Sequence, residues 1–319
     1  MKKNILVTGG FGLLASSLIN NLSKKKFNVI SIDKKKNFYR HGNKKPKHYK
    51  VVLGDFRNKK FISDAIKKNN IDVIFHLGAT TQVLNSLKKP LDTYKNNIMG
   101  TINILENIRE INPKIIMIYA SSDKAYGEKN SNNYKEDDKL NAIYPYDVSK
   151  SASDLICQSY AFTYNLSIGI LRCGNLYGPG DFNSKRIVPE TIINSIRNQK
   201  LKIRSNGKLT RDYLYVDDAA DAYFLVMNKL IKNKKKKLLI YNVSSKFNSN
   251  ALSLVKKIQT KINGKFNYSV ANTSTQEIKK QKLDYTKISK ELGWKPKTNL
   301  NKGLIKTINW YQKNISLFK

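Results

Sequence analysis

Residues 8–15, Thr-Gly-Gly-Phe-Gly-Leu-Leu-Ala, constrain the fold more than any other stretch of the chain. They follow a short apolar run at 4–8 and open a helical pattern at 13–22. A strand, a glycine loop and a helix in that order leave the first N–H groups of the helix facing outward, where they can hold a pyrophosphate. Gly9 permits the tight turn, Gly12 lets backbone approach the phosphates, and Ala15 is small enough for helix–strand packing in place of a third glycine. Asp33 ends the second strand 21 residues after Gly12, where a carboxylate takes the ribose hydroxyls. A glycine loop alone says little, but the loop and the spaced acid together define a dinucleotide site. Asp33 repels a 2′-phosphate, which favours NAD over NADP even with Lys34, Lys35 and Lys36 beside it. Asp55, after the third strand, is either an adenine contact or a loop cap. Leu77 and Ala79, in His76-Leu-Gly-Ala79, lie where a cofactor can pass close to backbone.

The first half of the chain alternates strand and helix. Apolar β-rich runs fall at 4–8, 27–32, 49–53, 73–77, 115–119 and 167–171, and helical patterns at 13–22, 61–68, 91–111 and 145–164. This alternation predicts a parallel sheet covered on both faces, in the doubly wound order of Rossmann-type dinucleotide binders. Beyond Arg172 the regularity loosens. Helices are expected at 188–197, 216–230, 251–262 and 300–314, a strand at 201–204, and a strand at 239–243 returning to the sheet. The expected organisation is an NAD-binding domain over 1–173, with 207–246 returning to it. A smaller C-terminal α/β substrate lobe takes 174–206 and 247–319.

Composition excludes several classes. With 40% hydrophobic residues in 319, the chain can bury a substantial core. Cys157 and Cys173 make neither a disulfide framework nor a metal spacing, so no metal is expected and a reducing cytoplasmic setting is. His76 ends an apolar strand and reads as structural. No stretch approaches the length of a membrane span. The net charge of +36 suggests nucleic acid, but 51 of the 59 basic residues are lysine, in short runs such as 24–26, 34–36 and 234–237. Aromatic residues are not interleaved with them as in a base-stacking surface. Nucleic-acid binding is therefore not expected, and the 234–237 run reads as an exposed loop. Attraction of an anionic ligand is the milder consequence.

The chemistry is carried by two blocks. Ser122, Asp123 and Lys124 bring a hydroxyl, a carboxylate and an amine to the end of a buried strand. Tyr146 and Lys150 put a phenol and an ammonium four residues apart, on one helix face. A free phenol has a pKa near 10; a nearby ammonium and a positive nicotinamide favour its phenolate. Lowering it by about 3 units corresponds to roughly 4 kcal/mol of differential interaction. Tyr146 can then take a hydroxyl proton as hydride leaves the same carbon, with Ser122 bonded to that oxygen.

With these residues the chain resembles the extended short-chain dehydrogenase/reductase family of nucleotide-sugar epimerases and dehydratases. The likeness runs from Lys3 to about Tyr311. It covers the glycine loop, Asp33, Gly54–Arg57, His76–Ala79, Asn97–Thr101, Ser122, Tyr146, Lys150, Arg172–Asn175, Arg211–Tyr213, Val216–Asp218 and Leu292–Trp294. The resemblance implies that Asn175 and Arg211 contact a nucleotide diphosphate, that Asn97 lies near the reacting centre, and that Asp284 touches the nucleotide ribose. It also implies a homodimer packed through the helices at 91–111 and 145–164, and a role in cell-surface polysaccharide synthesis.

Asp123 and Lys124 point to a subgroup. In this family 4-epimerases carry small uncharged residues after the serine, whereas 4,6-dehydratases carry an acid and a second ionisable group. Ser-Asp-Lys, and the stretch from Gly180 to Pro189, look most like CDP-glucose 4,6-dehydratase, while Arg211–Asp218 has the broader family form. CDP, GDP, UDP and dTDP sugars stay open. The chemistry suits the pair. Once C4 is a ketone the C5 proton is acidic; Asp123 protonates the departing 6-hydroxyl, and Lys124 removes the C5 proton or supports the enolate. The expected activity is thus an NAD-dependent nucleotide-sugar 4,6-dehydratase. The alternatives are a 4-epimerase and, from another class, a non-catalytic Rossmann sensor or basic nucleic-acid binder.

Overall fold

The computed structural model describes residues 3–35, 46–129, 133–233, 237–273 and 277–318. Lys36, His41 and most of the lysine run at 234–237 lie outside them. Seven strands make one parallel sheet: β1 (Asn4–Thr8), β2 (Asn28–Asp33), β3 (Tyr49–Leu53), β4 (Val73–His76), β5 (Ile116–Ser122), β6 (Ile168–Cys173) and a strand at Leu238–Val243. The spatial order is β3-β2-β1-β4-β5-β6 and then Leu238–Val243, every pair parallel. The order reverses beside β1, and the crevice at the carboxyl ends of β1 and β4 is where such sheets bind ligands. The strands read as continuous Val/Ile/Leu runs because helices cover both faces.

On one face lie α1 (Leu13–Lys24) and a helix at Val216–Lys232, which bury Leu18, Leu22, Ala219 and Tyr223 against the sheet. On the other lie α2 (Lys59–Lys68), two short helices, α3 (Val83–Lys88) and α4 (Pro90–Tyr94), then α5 (Gly100–Ile111) and α6 (Pro145–Thr163). The single helix expected at 91–111 is continuous but contains a π turn at Lys95–Met99. The Asn97 carbonyl there accepts from Thr101 Oγ1 at 2.6 Å and Ser153 Oγ at 3.1 Å, and this competition loosens the α-helical ladder.

The smaller lobe has its own core, Ile192, Leu254, Leu304 and Tyr311 among them. It is built from α7 (Ile187–Ile196), a helix at Ala251–Ile262 and one at Leu300–Lys313. Small strands other than the one expected at 201–204 escaped the sequence reading. Asn175–Tyr177, Thr210–Tyr215 and Asn248–Asn250 form a three-stranded sheet, and Tyr268–Val270 pairs with Leu201–Ile203. Within 207–246, the helix Val216–Lys232 and the strand Leu238–Val243 pack on the main sheet, whereas Thr210–Tyr215 pairs with two strands of the segments assigned to the smaller lobe, Asn175–Tyr177 and Asn248–Asn250.

Candidate active site

A cleft of about 1090 Å³ runs from the glycine loop, past the carboxyl ends of the central strands, into the smaller lobe. That is slightly above the ~300–1,000 Å³ usual for a single ligand site. Gly9, Gly12, Asp33, Leu77 and Ala79 line its cofactor end. Gly9 has φ +70°, and a Cβ there would stand 2.8 Å from Gly78 Cα, so the loop lies directly on the end of β4. The Gly12 N–H donates to the Gly9 carbonyl at 2.9 Å, and the Phe11 N–H to Asp33 Oδ2 at 3.2 Å. α1 has no side-chain cap and no acid in its first turn, which leaves its N-terminal N–H groups to an anion. These features fit a dinucleotide. Lys34 is turned to Asp55, 3.4 Å away, rather than offsetting Asp33.

A buried polar chain ties this end to the chemistry. Thr8 Oγ1 accepts from the Leu77 and Gly78 N–H groups and meets His76 Nδ1 at 2.8 Å. His76 Nε2 meets Thr101 Oγ1 at 3.1 Å, and Thr101 donates to the Asn97 carbonyl. Burial first, and then Lys150, press the His76 pKa down to about 3, so the ring is neutral.

Ser122 ends β5, and Asp123–Tyr126 turn into a 3-10 helix. The Ser122 hydroxyl donates to Asp123 Oδ1 at 3.0 Å and accepts from the Lys124 N–H at 3.2 Å. Asp123 is 2% exposed, and its Oδ2 has no partner among the described residues. Burial raises its pKa, against the pull of Lys124 and Arg211. Burial and then Arg211 lower that of Lys124, against Asp147, Asp123 and Glu277. Both groups therefore lean toward their neutral forms, as an acid and a base require.

Pro145 starts α6 at its first turn, and Tyr146 and Lys150 follow on one face, both buried. Lys150 Nζ donates to the Ala120 carbonyl at 2.7 Å and lies 5.1 Å over the Tyr119 ring. Burial lowers its pKa to about 8. Lys150 and a positive nicotinamide together are expected to favour the Tyr146 phenolate; on balance the protein's own groups act in the other direction. Burial first, then Asp147, hold the phenol above its usual value, against Arg186 and the bond to Ser122. One turn beyond Lys150, Asp154 accepts two bonds from buried Arg172, each at 2.9 Å, and one from Ser121 at 2.6 Å. That knot fixes α6 against β5 and β6, and with them the spacing of Ser122 and Tyr146.

Asn175 and Arg211 line the cleft from the smaller lobe's side. Arg211 is anchored to the Thr210 carbonyl at 2.9 Å and pairs with Glu277 at 3.1 Å. Three expected residues stand off the cleft wall. Asp55 is held by Arg57 at 2.6 Å. Asn97 is buried, giving its amide to Ser149 Oγ at 2.9 Å and the Thr80 carbonyl at 3.1 Å, and accepting from the Thr80 N–H at 2.7 Å. Asp284 accepts from the Thr286 N–H at 2.8 Å. Two groups beside the chemistry were missed. Asp147 is 2% exposed, with Oδ1 unpartnered among the described residues, and burial raises its pKa to about 6. Gln281 accepts from Lys124 Nζ at 3.2 Å. Asp147 was within sight, next to Tyr146 in sequence; Gln281 follows no motif.

Among the described residues no helix is long and apolar enough to cross a membrane, and no three or more of His, Cys, Asp or Glu could hold a metal ion.

A doubly wound sheet with a glycine loop, a spaced acid and a Ser/Tyr/Lys centre defines a nicotinamide-dinucleotide enzyme fold. The chain belongs to the NAD dependent epimerase/dehydratase family, whose family model matches residues 5–244. It is 30% identical to the trifunctional UDP-glucose 4,6-dehydratase/UDP-4-keto-6-deoxy-D-glucose 3,5-epimerase/UDP-4-keto-L-rhamnose-reductase of Arabidopsis thaliana, over 98% of this chain and 47% of that protein. The chain thus spans about half the length of that relative. It is also 30% identical to dTDP-D-glucose 4,6-dehydratase of Dictyostelium discoideum, covering 98% of this chain and 82% of that one. Among solved structures it resembles the UDP-glucose 4-epimerase of Thermotoga maritima with UDP-glucose. There the TM-score is 0.86 and the identity 26%, over 98% of this chain and 99% of that chain.

Proposed function

We propose that the protein is an NAD-dependent nucleotide-sugar 4,6-dehydratase, converting an NDP-hexose to the NDP-4-keto-6-deoxyhexose and water. The reading is carried by Asp123 and Lys124: an acid and an amine directly after Ser122, both on the cleft wall with Tyr146 and both shifted by burial toward their uncharged forms. A 4-epimerase has no leaving hydroxyl to protonate. The dehydratase relatives support the same reading.

Gly9, Gly12, Asp33, Leu77 and Ala79 hold the cofactor, with Tyr146 and Lys150 at its reactive end. NAD, when bound, accepts hydride from C4 of the sugar and gives it back at C6. Ser122 and Tyr146 bond the 4-hydroxyl, and Tyr146 takes its proton. Lys150, locked on the Ala120 carbonyl, sets the position of that helix face. Lys124 takes the C5 proton, and Asp123 protonates the departing 6-oxygen. Asn175 and Arg211 bind the diphosphate. Asn97, Asp55 and Asp284 act indirectly, through the segments they brace. Residues 1–173 and most of 207–246 serve the cofactor, and 174–206 with 247–319, joined by the strand Thr210–Tyr215 that carries Arg211, serve the nucleotide sugar.

The protein works in the cytoplasm as a homodimer. Leu91, Met99, Leu155 and Phe162, 92% exposed, supply the apolar face on the helices of residues 90–111 and α6. CDP-glucose is the first substrate to try, on the likeness of Ser122–Lys124 and of Gly180 to Pro189. The test is incubation of protein and NAD with CDP-, GDP-, UDP- and dTDP-hexoses, followed by mass spectrometry. Loss of one water from one of them is the expected result. A new isomer of unchanged mass would move the assignment to 4-epimerase, which the Thermotoga likeness favours.

A further inference from the structure

Lys124 is surrounded by charge. Arg211 faces it from the strand Thr210–Tyr215, Asp147 from α6, Glu277 from the segment entering residues 277–284, and Asp123 from its own turn. Yet the hydrogen bond of its ammonium is to an uncharged group, the side-chain carbonyl of Gln281, at 3.2 Å. Gln281 is fully buried. Its backbone is fixed on both sides: the N–H donates to the Thr210 carbonyl at 3.1 Å, and the carbonyl accepts from Asn248 Nδ2 at 2.9 Å. Two residues on, the Leu283 N–H donates to Asp212 Oδ2 at 2.7 Å, tying the same segment to the strand that carries Arg211. The amide cannot wander, and its Nε2 has no partner among the described residues. A buried amide kept half-satisfied calls for a reason other than packing.

We propose that Gln281 is a positioning residue for Lys124, aiming the amine into the cleft with a partner that carries no charge. An amide oxygen accepts from an amine or an ammonium alike, whereas a carboxylate in its place would favour the ammonium. The inference rests on the dehydratase reading. In that reaction the lone pair of Lys124 takes the C5 proton. The electrons of the C5–H bond become the C5–C6 double bond as the C6–O bond breaks, and Asp123 gives its proton so that the oxygen leaves as water. A bound reduced cofactor would supply the hydride for C6, and the proton on Lys124 returns to C5. A lysine locked as ammonium cannot begin the sequence.

Two variants of the whole protein test this, Gln281→Glu and Gln281→Met. The reactivity of Lys124 toward acetic anhydride is followed against pH by peptide mass spectrometry, which needs no turnover. Gln281→Glu should move the midpoint upward by about one pH unit or more, the range for an opposite charge in contact. In the dehydration assay the acid limb of kcat should move by the same amount with KM little changed. Gln281→Met keeps the volume and loses the bond; it should lower kcat at least tenfold without moving the limb. An unshifted acylation midpoint in Gln281→Glu, or full kcat in Gln281→Met, overturns the proposal. If no NDP-hexose is dehydrated the functional reading fails, and the acylation midpoint still decides whether Gln281 controls Lys124.

Discussion

Replacing Asp123 by Asn should separate the two halves of the reaction. The substitution keeps the shape of a side chain that is 2% exposed and can keep the bond from the Ser122 hydroxyl. What it removes is a transferable proton, and burial keeps that proton on Asp123 above the usual carboxylate range. General acid catalysis contributes about 10²–10⁴ in rate. At 1.36 kcal/mol per decade the barrier to water loss should rise by about 2.7–5.4 kcal/mol. In the proposed mechanism oxidation at C4 uses Tyr146, Ser122 and the cofactor, and should be nearly unaffected. A single turnover followed by the near-ultraviolet absorbance of NADH should therefore show normal formation and a stalled decay. Dehydration at the wild-type rate in Asp123→Asn would refute the assignment. Loss of NADH formation together with dehydration would place Asp123 in the oxidation step instead.

Other perturbations give independent checks. The His76 ring has a folded pKa of about 3 against roughly 6.5 for free histidine, so the unfolded chain binds the extra proton in that window. Stability from this group is lost as pH falls from 6.5 toward 3, at up to about 1.4 kcal/mol per pH unit, and His76→Gln should flatten that part of a urea-midpoint profile. Asp154→Ala leaves Arg172 charged and unpaired in the core; the cost should be about 3–5 kcal/mol by chemical denaturation, and a loss under 1 kcal/mol would contradict the buried pair. Gly9→Ala puts a Cβ 2.8 Å from Gly78 at φ +70°, so NAD affinity by calorimetry should fall at least tenfold while the fold persists. Phe162→Glu should leave a monomer by sedimentation if the exposed α6 face is the dimer contact.

The cofactor half of the molecule was legible because its causes are local. A glycine turn, a spaced acid and uninterrupted Val/Ile runs each act within a few residues, and β1 and β3 fall where their apolar runs predict. Tyr146 and Lys150 share a face wherever a helix forms, so their pairing needed only periodicity. The strand Thr210–Tyr215 was not legible in the same way. Its Arg211 and Asp212 are both buried, Asp212 held by Ser244, Asn248 and Leu283, so the alternation that marks a strand is hidden by charges whose partners lie far off in the chain. The π turn around Asn97 likewise depends on Ser153, 56 residues later. Sequence alone determined the dinucleotide fold and singled out the candidate reacting groups, since each is written in contiguous residues. Only the tertiary structure decided the protonation tendencies and aim of those groups. Burial of Asp123, Asp147 and Tyr146, and the approach of Gln281 to Lys124 across 157 residues, exist only when the two lobes close on one cleft.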